Sequence, residues 1–329
     1  MTLNRSAIIH RSTRTADGVT IHFVESGNSA GPPVLFVHGI SQSWQSWQKQ
    51  VNDAWLRERF RMIALDLRGH GASQGARGAV DGGGGILEPL PADRYNDGSP
   101  SGTARLWASD IAAVITACGL SDLTLVGWSY GGAVVLDYLQ VNGGLGAAAR
   151  VILLATTPVL QPPGTPDVGA DRIFTPGAVA TLMRTTAEDH SRDVADGLKT
   201  FIKTCLADDT GRPAASDSEV TAMTELNLLV EPSVRMSLMT RVFDYRGVLA
   251  ALPRCAQQKI TVVTPMGDRI LQSAHTRTLW PNGGGIAHRP IERAGHLFFW
   301  RTQDSLRQIL AEAQERTAGD PVRQPAQPH

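Results

Sequence analysis

Cysteine is scarce in this chain: Cys118, Cys205 and Cys255 are odd in number, far apart and outside any C-x-x-C pattern. That excludes a disulfide framework and a structural zinc site, and the three are read as reduced, structural thiols. Net charge is missing as well. Lys plus Arg total 31 and Asp plus Glu total 31, so no overall field draws the chain toward nucleic acid, an anionic membrane or a strongly charged substrate. A neutral small molecule is the partner this balance favours, with neither nucleic acid nor membrane expected. No uninterrupted apolar run approaches the ~20 residues needed to span a bilayer. Met1 to Arg14 carries basic residues but lacks the apolar stretch of a secretory signal. A cytoplasmic location is therefore the expectation. No glycine-rich nucleotide fingerprint follows the first strand and no metal-ligand cluster is present, so no cofactor and no metal are implied. There is no internal repeat, and nothing in the sequence speaks to oligomeric state.

What is present is a chain with 42% hydrophobic residues, enough for a substantial core. Short apolar or β-branched runs recur at Val34–Val37, Met62–Leu65, Leu123–Val126, Val151–Leu154 and Ile260–Val263, and they read as buried parallel strands. Helical spacing lies between them, as in Trp107–Cys118 and Ala133–Leu139, so strand and helix alternate as in a doubly wound α/β sheet. The opening segment, Ala7–Val24 with Asp17-Gly18 inside it, reads as an antiparallel hairpin at one sheet edge.

Two segments break the alternation. Gln74–Gly102, with four successive glycines at 82–85 and several prolines, predicts a long flexible loop. Pro158–Tyr245 has helix-like patches around Ala178–Thr185, Val194–Leu206, Glu219–Leu229 and Ser233–Phe243 and no convincing strand signal. Because strand pattern resumes at Lys259, this stretch is placed as a helical insertion over the sheet. The division expected is a core of 1–157 and 246–316, a helical cap of 158–245, and a Pro/Gln-rich disordered tail at 317–329.

Gly127-Trp128-Ser129-Tyr130-Gly131 is a G-x-S-x-G between a strand and a helical run, the context the motif requires. A serine hydroxyl is a weak nucleophile unless its Oγ is exposed and a base can take its proton, and a sharp strand-to-helix turn supplies the exposure. The same turn puts the Tyr130 amide at the helix start, where it can receive an oxyanion. Val34–Val37 ends in His38-Gly39-Ile40, where the Ile40 amide is the candidate second donor. His38 is read as bonding to backbone. Asp66 and His70, in Asp66-Leu67-Arg68-Gly69-His70-Gly71-Ala72-Ser73, are read as groups that brace a turn.

Taken in order, His38-Gly39, Asp66 through Ser73, and Gly127 through Gly132 resemble the α/β-hydrolase superfamily in its esterase and haloperoxidase-like branch, along nearly the whole chain. The resemblance implies an α/β-hydrolase fold: an eight-stranded, mostly parallel sheet flanked by helices, with a helical lid inserted after strand six. Haloalkane dehalogenases and epoxide hydrolases of this superfamily carry Asp where this chain has Ser129. The family places its acid after the seventh strand and its histidine after the eighth. By that order Asp268, in Pro265-Met266-Gly267-Asp268, is the acid, although the family more often has Gly at the position of Pro265. His296, in Ala294-Gly295-His296-Leu297, is the base; His288 lies within the edge strand Ile286–Ile291, where Pro290 is tolerated.

Ser129, His296 and Asp268 would then cleave a carboxylic ester, a lactone or a thioester of a small to medium, neutral, apolar substrate through an acyl-enzyme. Two other readings stay open: a carbon–carbon bond hydrolase with the same triad, and a ligand-binding receptor on a hydrolase scaffold. Trp44 and Trp128 are candidate substrate contacts, with Trp47 and Tyr130 nearby, or else ordinary packing residues. Met183, Phe201, Met223, Met236, Met239 and Phe243 of the insertion are inner-face residues or an acyl tunnel.

Overall fold

The computed structural model describes residues 8–81, 83–185, 192–212, 215–281, 285–301 and 303–318. Ala7, Gly82 and the tail from position 319, which figure in the expectations above, lie outside the described residues. The strands are β1 (Ile9–Arg14), β2 (Thr20–Gly27), β3 (Pro33–Val37), β4 (Arg61–Leu65), β5 (Leu123–Trp128), β6 (Ala148–Leu154), β7 (Val159–Leu160), β8 (Phe243–Asp244), β9 (Ile260–Pro265) and β10 (Ala287–Ile291). Eight of them form one sheet in the order β1-β2-β4-β3-β5-β6-β9-β10. β2 runs antiparallel to both its neighbours and every other pairing is parallel.

The inner strands are made of Val, Leu, Ile and Phe with almost no exposed surface, as expected where both sheet faces are covered. β1 is the exception, an edge strand reading Ile-His-Arg-Ser-Thr-Arg, mostly exposed and charged enough to discourage further pairing. At the other edge Pro290 sits in β10, which pairs only with β9.

Strand order reverses at β3 and β5: the chain goes from β3 leftward to β4, then from β5 rightward to β6. Right-handed crossovers therefore put the helices of those two connections on opposite faces. Helices Pro100–Cys118 and Tyr130–Asn142 pack together on one. Ala54–Arg59 and the C-terminal Gln303–Ala318 share the other, joined by Arg307 on the Asp53 carboxylate. The crevice at such a reversal, above the carboxyl ends of the strands, is where open α/β sheets bind ligands.

Helix Pro100–Cys118 starts earlier than the apolar spacing from Trp107 predicts, because Ser99 caps it on the Gly102 N–H and Pro100 supplies a ready-made first turn. The loop before it has no long element but is tied down. The Arg77 N–H donates to the Leu229 carbonyl at 2.8 Å, its guanidinium pairs with Glu231, and the Tyr95 carbonyl accepts from Trp107 Nε1 at 2.9 Å. The stretch after β6 contains helices Pro176–Arg184, Arg192–Leu206, Asp217–Leu228 and Pro232–Met239, of which the first, third and fourth begin slightly before their apolar patches with a Pro or a cap. It also contains what the pattern missed: β7 and β8 pair antiparallel and close the base of this excursion. Two-residue strands are too short for periodicity to register. Helix Gln303–Ala318 likewise runs past 317, where the composition predicts disorder.

The turn after β4 is a buried polar hub. Arg68, with no exposed surface, donates to Asp110 from its backbone N–H, Nε and Nη2, and from Nη1 to Asp17 at 2.9 Å. Burial opposes its charge, yet these carboxylates hold its pKa above the ordinary arginine value. Asp66 accepts the Trp44 and Ala72 amides and pairs with His22, as a brace would. His38 bonds to backbone at both ring nitrogens, Gly39 O and Leu67 N. His70 donates Nδ1 to the Arg68 carbonyl at 2.8 Å, and burial, with His38 nearby, pushes its pKa down to about 3.

Replacing Arg68 alone by Met strands the buried Asp110 charge and should cost about 3–5 kcal/mol in chemical denaturation. Adding Asp110→Asn, which still accepts the position-68 N–H, should recover a large part. The His70 shift sets an acid limit. The unfolded chain takes this proton near pH ~6.5 and the folded chain only near pH 3, so between those values acid favours unfolding, by up to about 1.4 kcal/mol per pH unit. Stability measured from pH 7 to 4 should fall less steeply in His70→Asn.

Candidate active site

β5 ends at Trp128 and helix Tyr130–Asn142 begins two residues later, with Ser129 between them at φ 55° and ψ −123°. For a residue with a side chain this is a strained backbone, of order 1–3 kcal/mol, and it persists only where the surroundings compel it. Here the Ser129 N–H donates to the Leu154 carbonyl at 2.8 Å and its carbonyl accepts from Gly132 at 2.9 Å. Helix and β3 also meet so closely that a Cβ on Gly131 would lie 2.4 Å from the Val37 and His38 carbonyl oxygens. The second glycine of the motif is there for that approach.

His296 lies in the turn between β10 and the short helix Phe298–Arg301, and Asp268 in the turn after β9. The three side chains meet. His296 Nε2 is 2.8 Å from Ser129 Oγ and Nδ1 is 2.7 Å from Asp268 Oδ2. Asp268 has no exposed side-chain surface, and its Oδ1 accepts from the Ile270 and Leu271 amides at 2.7 and 3.0 Å, which fixes the carboxylate plane. As a carboxylate it can only accept, so Nδ1 carries the proton and Nε2 presents a lone pair to the serine. His288 sits in β10, away from this contact.

The histidine's backbone is held from two sides. Trp128 Nε1 donates to the His296 carbonyl at 3.0 Å, and the Leu297 N–H donates to Cys205 at the end of helix Arg192–Leu206. A Cβ on Gly295 would stand 1.9 Å from the Ala207 carbonyl oxygen, so the Gly-His step is imposed by the insertion passing beside it.

Ser129, Ile40 and Tyr130 border a cavity of about 400 Å³. The Ile40 and Tyr130 N–H groups find no acceptor among the described residues, which leaves both amides available at the serine. The rest of the lining is largely apolar: Phe174, Val179, Leu182, Met183, Phe201 and Met239 from the insertion, Leu271 from the turn after Asp268. Of the insertion side chains singled out by sequence, Met183, Phe201, Met239 and Phe243 line the cavity. Met223 packs inside the insertion and Met236 is exposed.

Trp44 and Trp128, candidates for substrate contact, are not among the described residues that line this cavity. Trp128 lies beneath the histidine, edge-on to Phe299, because its indole N–H reaches the His296 carbonyl. Trp44 turns its ring to His10 while its amide binds Asp66. Trp47 stacks on Phe299 in the core. Sequence reading also passed over Asp137, Arg241 and Tyr245, a buried polar cluster of which Arg241 borders the cavity and the other two lie behind it. The signal was available for Asp137, a lone charge inside the helical run Ala133–Leu139.

A model of the alpha/beta hydrolase fold family matches residues 32–196, half of the chain. Among curated relatives, the non-heme chloroperoxidase CPO-A1 of Kitasatospora aureofaciens is 30% identical over 184 residues, covering 56% of this chain and 57% of that protein. The AB hydrolase superfamily protein YisY of Bacillus subtilis (strain 168) is 29% identical over 306 residues, 91% of this chain and 97% of its own. The chain spans less than two thirds of the length of the first curated relatives it matches. Among solved structures, the esterase RhEst1 from Rhodococcus sp. ECU1013 superposes with a TM-score of 0.71 at 26% identity, over 94% of this chain and 98% of that one. Sheet order, elbow and family match coincide, and the chain belongs to the α/β-hydrolase fold family.

Proposed function

We propose that the protein is a serine hydrolase that cleaves a carboxylic ester of a small to medium, apolar acid through an acyl-enzyme on Ser129. The observation that carries this reading is the unbroken chain Ser129 Oγ–His296 Nε2 at 2.8 Å and His296 Nδ1–Asp268 Oδ2 at 2.7 Å, opening on an apolar cavity. In it, His296 takes the serine proton as Oγ attacks the ester carbonyl, and the Ile40 and Tyr130 amides receive the oxyanion. The imidazolium, oriented by Asp268, returns that proton to the departing alkoxide, and the alcohol leaves. Water, deprotonated by the same histidine, then attacks the acyl carbonyl and frees the acid and the serine.

The size and lining of the cavity argue for the substrate class. Bringing a carboxylate into such walls unpaired costs several kcal/mol, whereas an alkyl or aryl acyl group gains about 25 cal/mol per Å² buried. In this reading residues 158–245 act as a cap whose inner face shapes the acyl pocket. The similarity to RhEst1, named as an esterase, agrees with ester chemistry.

Fluorophosphonate labelling and p-nitrophenyl esters of graded chain length test the proposal. Wild type should label and turn over short to medium esters, and Ser129→Ala should lose all label and at least about 10⁴-fold in kcat. A folded wild type that neither labels nor hydrolyses any ester would overturn it, and turnover of a dienone but no ester would move the reading to carbon–carbon cleavage. Val179→Trp, which fills part of the cavity, should cut kcat/KM on the longest ester accepted by about tenfold or more while the acetate ester changes little.

A further inference from the structure

In and behind the cavity wall lies a buried charged knot that the chemistry above does not use. Asp137 sits inside helix Tyr130–Asn142 with no exposed surface. Arg241, between helix Pro232–Met239 and β8, pairs with it through Nη2, and Tyr245 donates its hydroxyl to the same carboxylate oxygen. Arg241 also donates from Nη2 to the Tyr245 hydroxyl at 2.8 Å and from Nη1 to the Tyr130 hydroxyl at 3.1 Å. Tyr130 is held on another side by Trp107, edge-on at 5.8 Å between ring centroids.

Stability alone gives this arrangement little reason to exist, because a buried ion pair is often neutral or worse compared with well-packed apolar residues. Nor is the knot fully satisfied: Arg241 Nε and Asp137 Oδ2 have no hydrogen-bond partner among the described residues. What it does accomplish is geometric. Tyr130 follows the strained Ser129, and its amide, which has no acceptor among the described residues, borders the cavity at the serine. A strained turn relaxes by rotating the neighbouring peptide planes, and an amide displaced by a few tenths of an ångström loses much of its hold on an oxyanion. The phenol is the handle by which the far end of the same residue is gripped, and Arg241 is the insertion residue gripping it.

We propose that Arg241 is a positioning residue: by holding the Tyr130 hydroxyl from the insertion, with Asp137 as its anchor, it keeps the Tyr130 amide aimed at the oxyanion. The proposal rests on the acyl-enzyme reading above, in which that amide has this role. It ties catalytic rate to the seating of the insertion on the nucleophile's helix. Burial raises the Asp137 carboxyl to about 6 even beside Arg241, so removing the arginine leaves a carboxyl that can turn neutral and stay in place.

The test compares wild type, Tyr130→Phe, Arg241→Met and the double variant by kcat and KM on one p-nitrophenyl ester, fluorophosphonate labelling rate and thermal midpoint. Tyr130→Phe keeps the ion pair and removes only the handle. It should lower kcat and labelling rate about tenfold, with KM within about twofold and little change in thermal midpoint. The double variant should be no slower than Arg241→Met, because the two side chains act through one contact. A Tyr130→Phe enzyme at wild-type rate, or losses that add in the double variant and follow the thermal midpoint, would overturn the proposal. If Arg241→Met does not fold, Tyr130→Phe decides alone. A wild type that takes no label removes the acyl-enzyme reading and this proposal together, whereas a labelling wild type with an unaffected Tyr130→Phe removes only this one.

Discussion

A serine backbone at φ 55° is held there only by its surroundings, and the geometry of the whole site follows from that one turn. Released from it, Ser129 would drop toward the sheet and helix Tyr130–Asn142 would leave β5 at another angle. The compulsion comes from both neighbours of β5 at once. β6 takes the Ser129 N–H on Leu154, and β3 brings its last carbonyls against Gly131, where any side chain would collide. Both strands are parallel to β5, so all three end on the same rim. Strand order reverses between β3 and β5, which opens the crevice directly above the serine.

The histidine is positioned by a different means. Its own backbone is not left-handed, although Arg293 in the same turn stands at φ 61°; the loop is pinned by the Trp128 indole from the sheet side and by Cys205 and Ala207 from the end of helix Arg192–Leu206. The insertion therefore touches both partners of the Ser129–His296 contact, His296 through that helix end and the serine's turn through Arg241 on Tyr130. These buried polar joints each have one acceptable geometry, so they specify how the cover sits more sharply than apolar packing would. The insertion is held elsewhere by the packing of helix Arg192–Leu206 on Phe298–Arg301 and by the Lys49–Glu219 and Arg77–Glu231 ion pairs.

How much of this was legible in sequence depends on how far apart the cooperating residues lie in the chain. The inner strands announced themselves because burial on both faces demands unbroken runs such as Val34–Val37, and the elbow did because glycine, serine and glycine fall within five positions. Helix starts were misplaced where a cap, not an apolar residue, opens the helix: Ser99-Pro100 precedes the first apolar landmark at Trp107. β7 and β8 gave no signal, each being two residues long and paired across more than eighty positions. Trp44 and Trp128 attracted attention as aromatics near the motifs, yet the Trp128 indole holds the His296 loop, the Trp44 ring lies edge-on to His10, and neither is among the described residues lining the cavity. Asp137 was visible as an odd charge in an apolar helix, but its partner Arg241 is 104 residues away, and nothing local links the two.

The same pair bears on the uncharged substrate proposed for this site. Arg241 is the one charged side chain among the residues described as lining the cavity, and its charge is turned onto Asp137, with only about 2% of the side chain exposed. A free guanidinium there would attract carboxylates strongly, because little water reaches the walls to screen it. Paired and turned away, it leaves the amides of Ile40 and Tyr130 as the strongest donors near Ser129. In the proposed acyl-enzyme reading, negative charge is then best accommodated at the serine itself, and only while it is developing on the attacked carbonyl oxygen. Under that reading the pocket would discriminate by shape along its length and reserve its electrostatic stabilisation for the transition state, which is where such stabilisation raises rate and does not merely tighten binding.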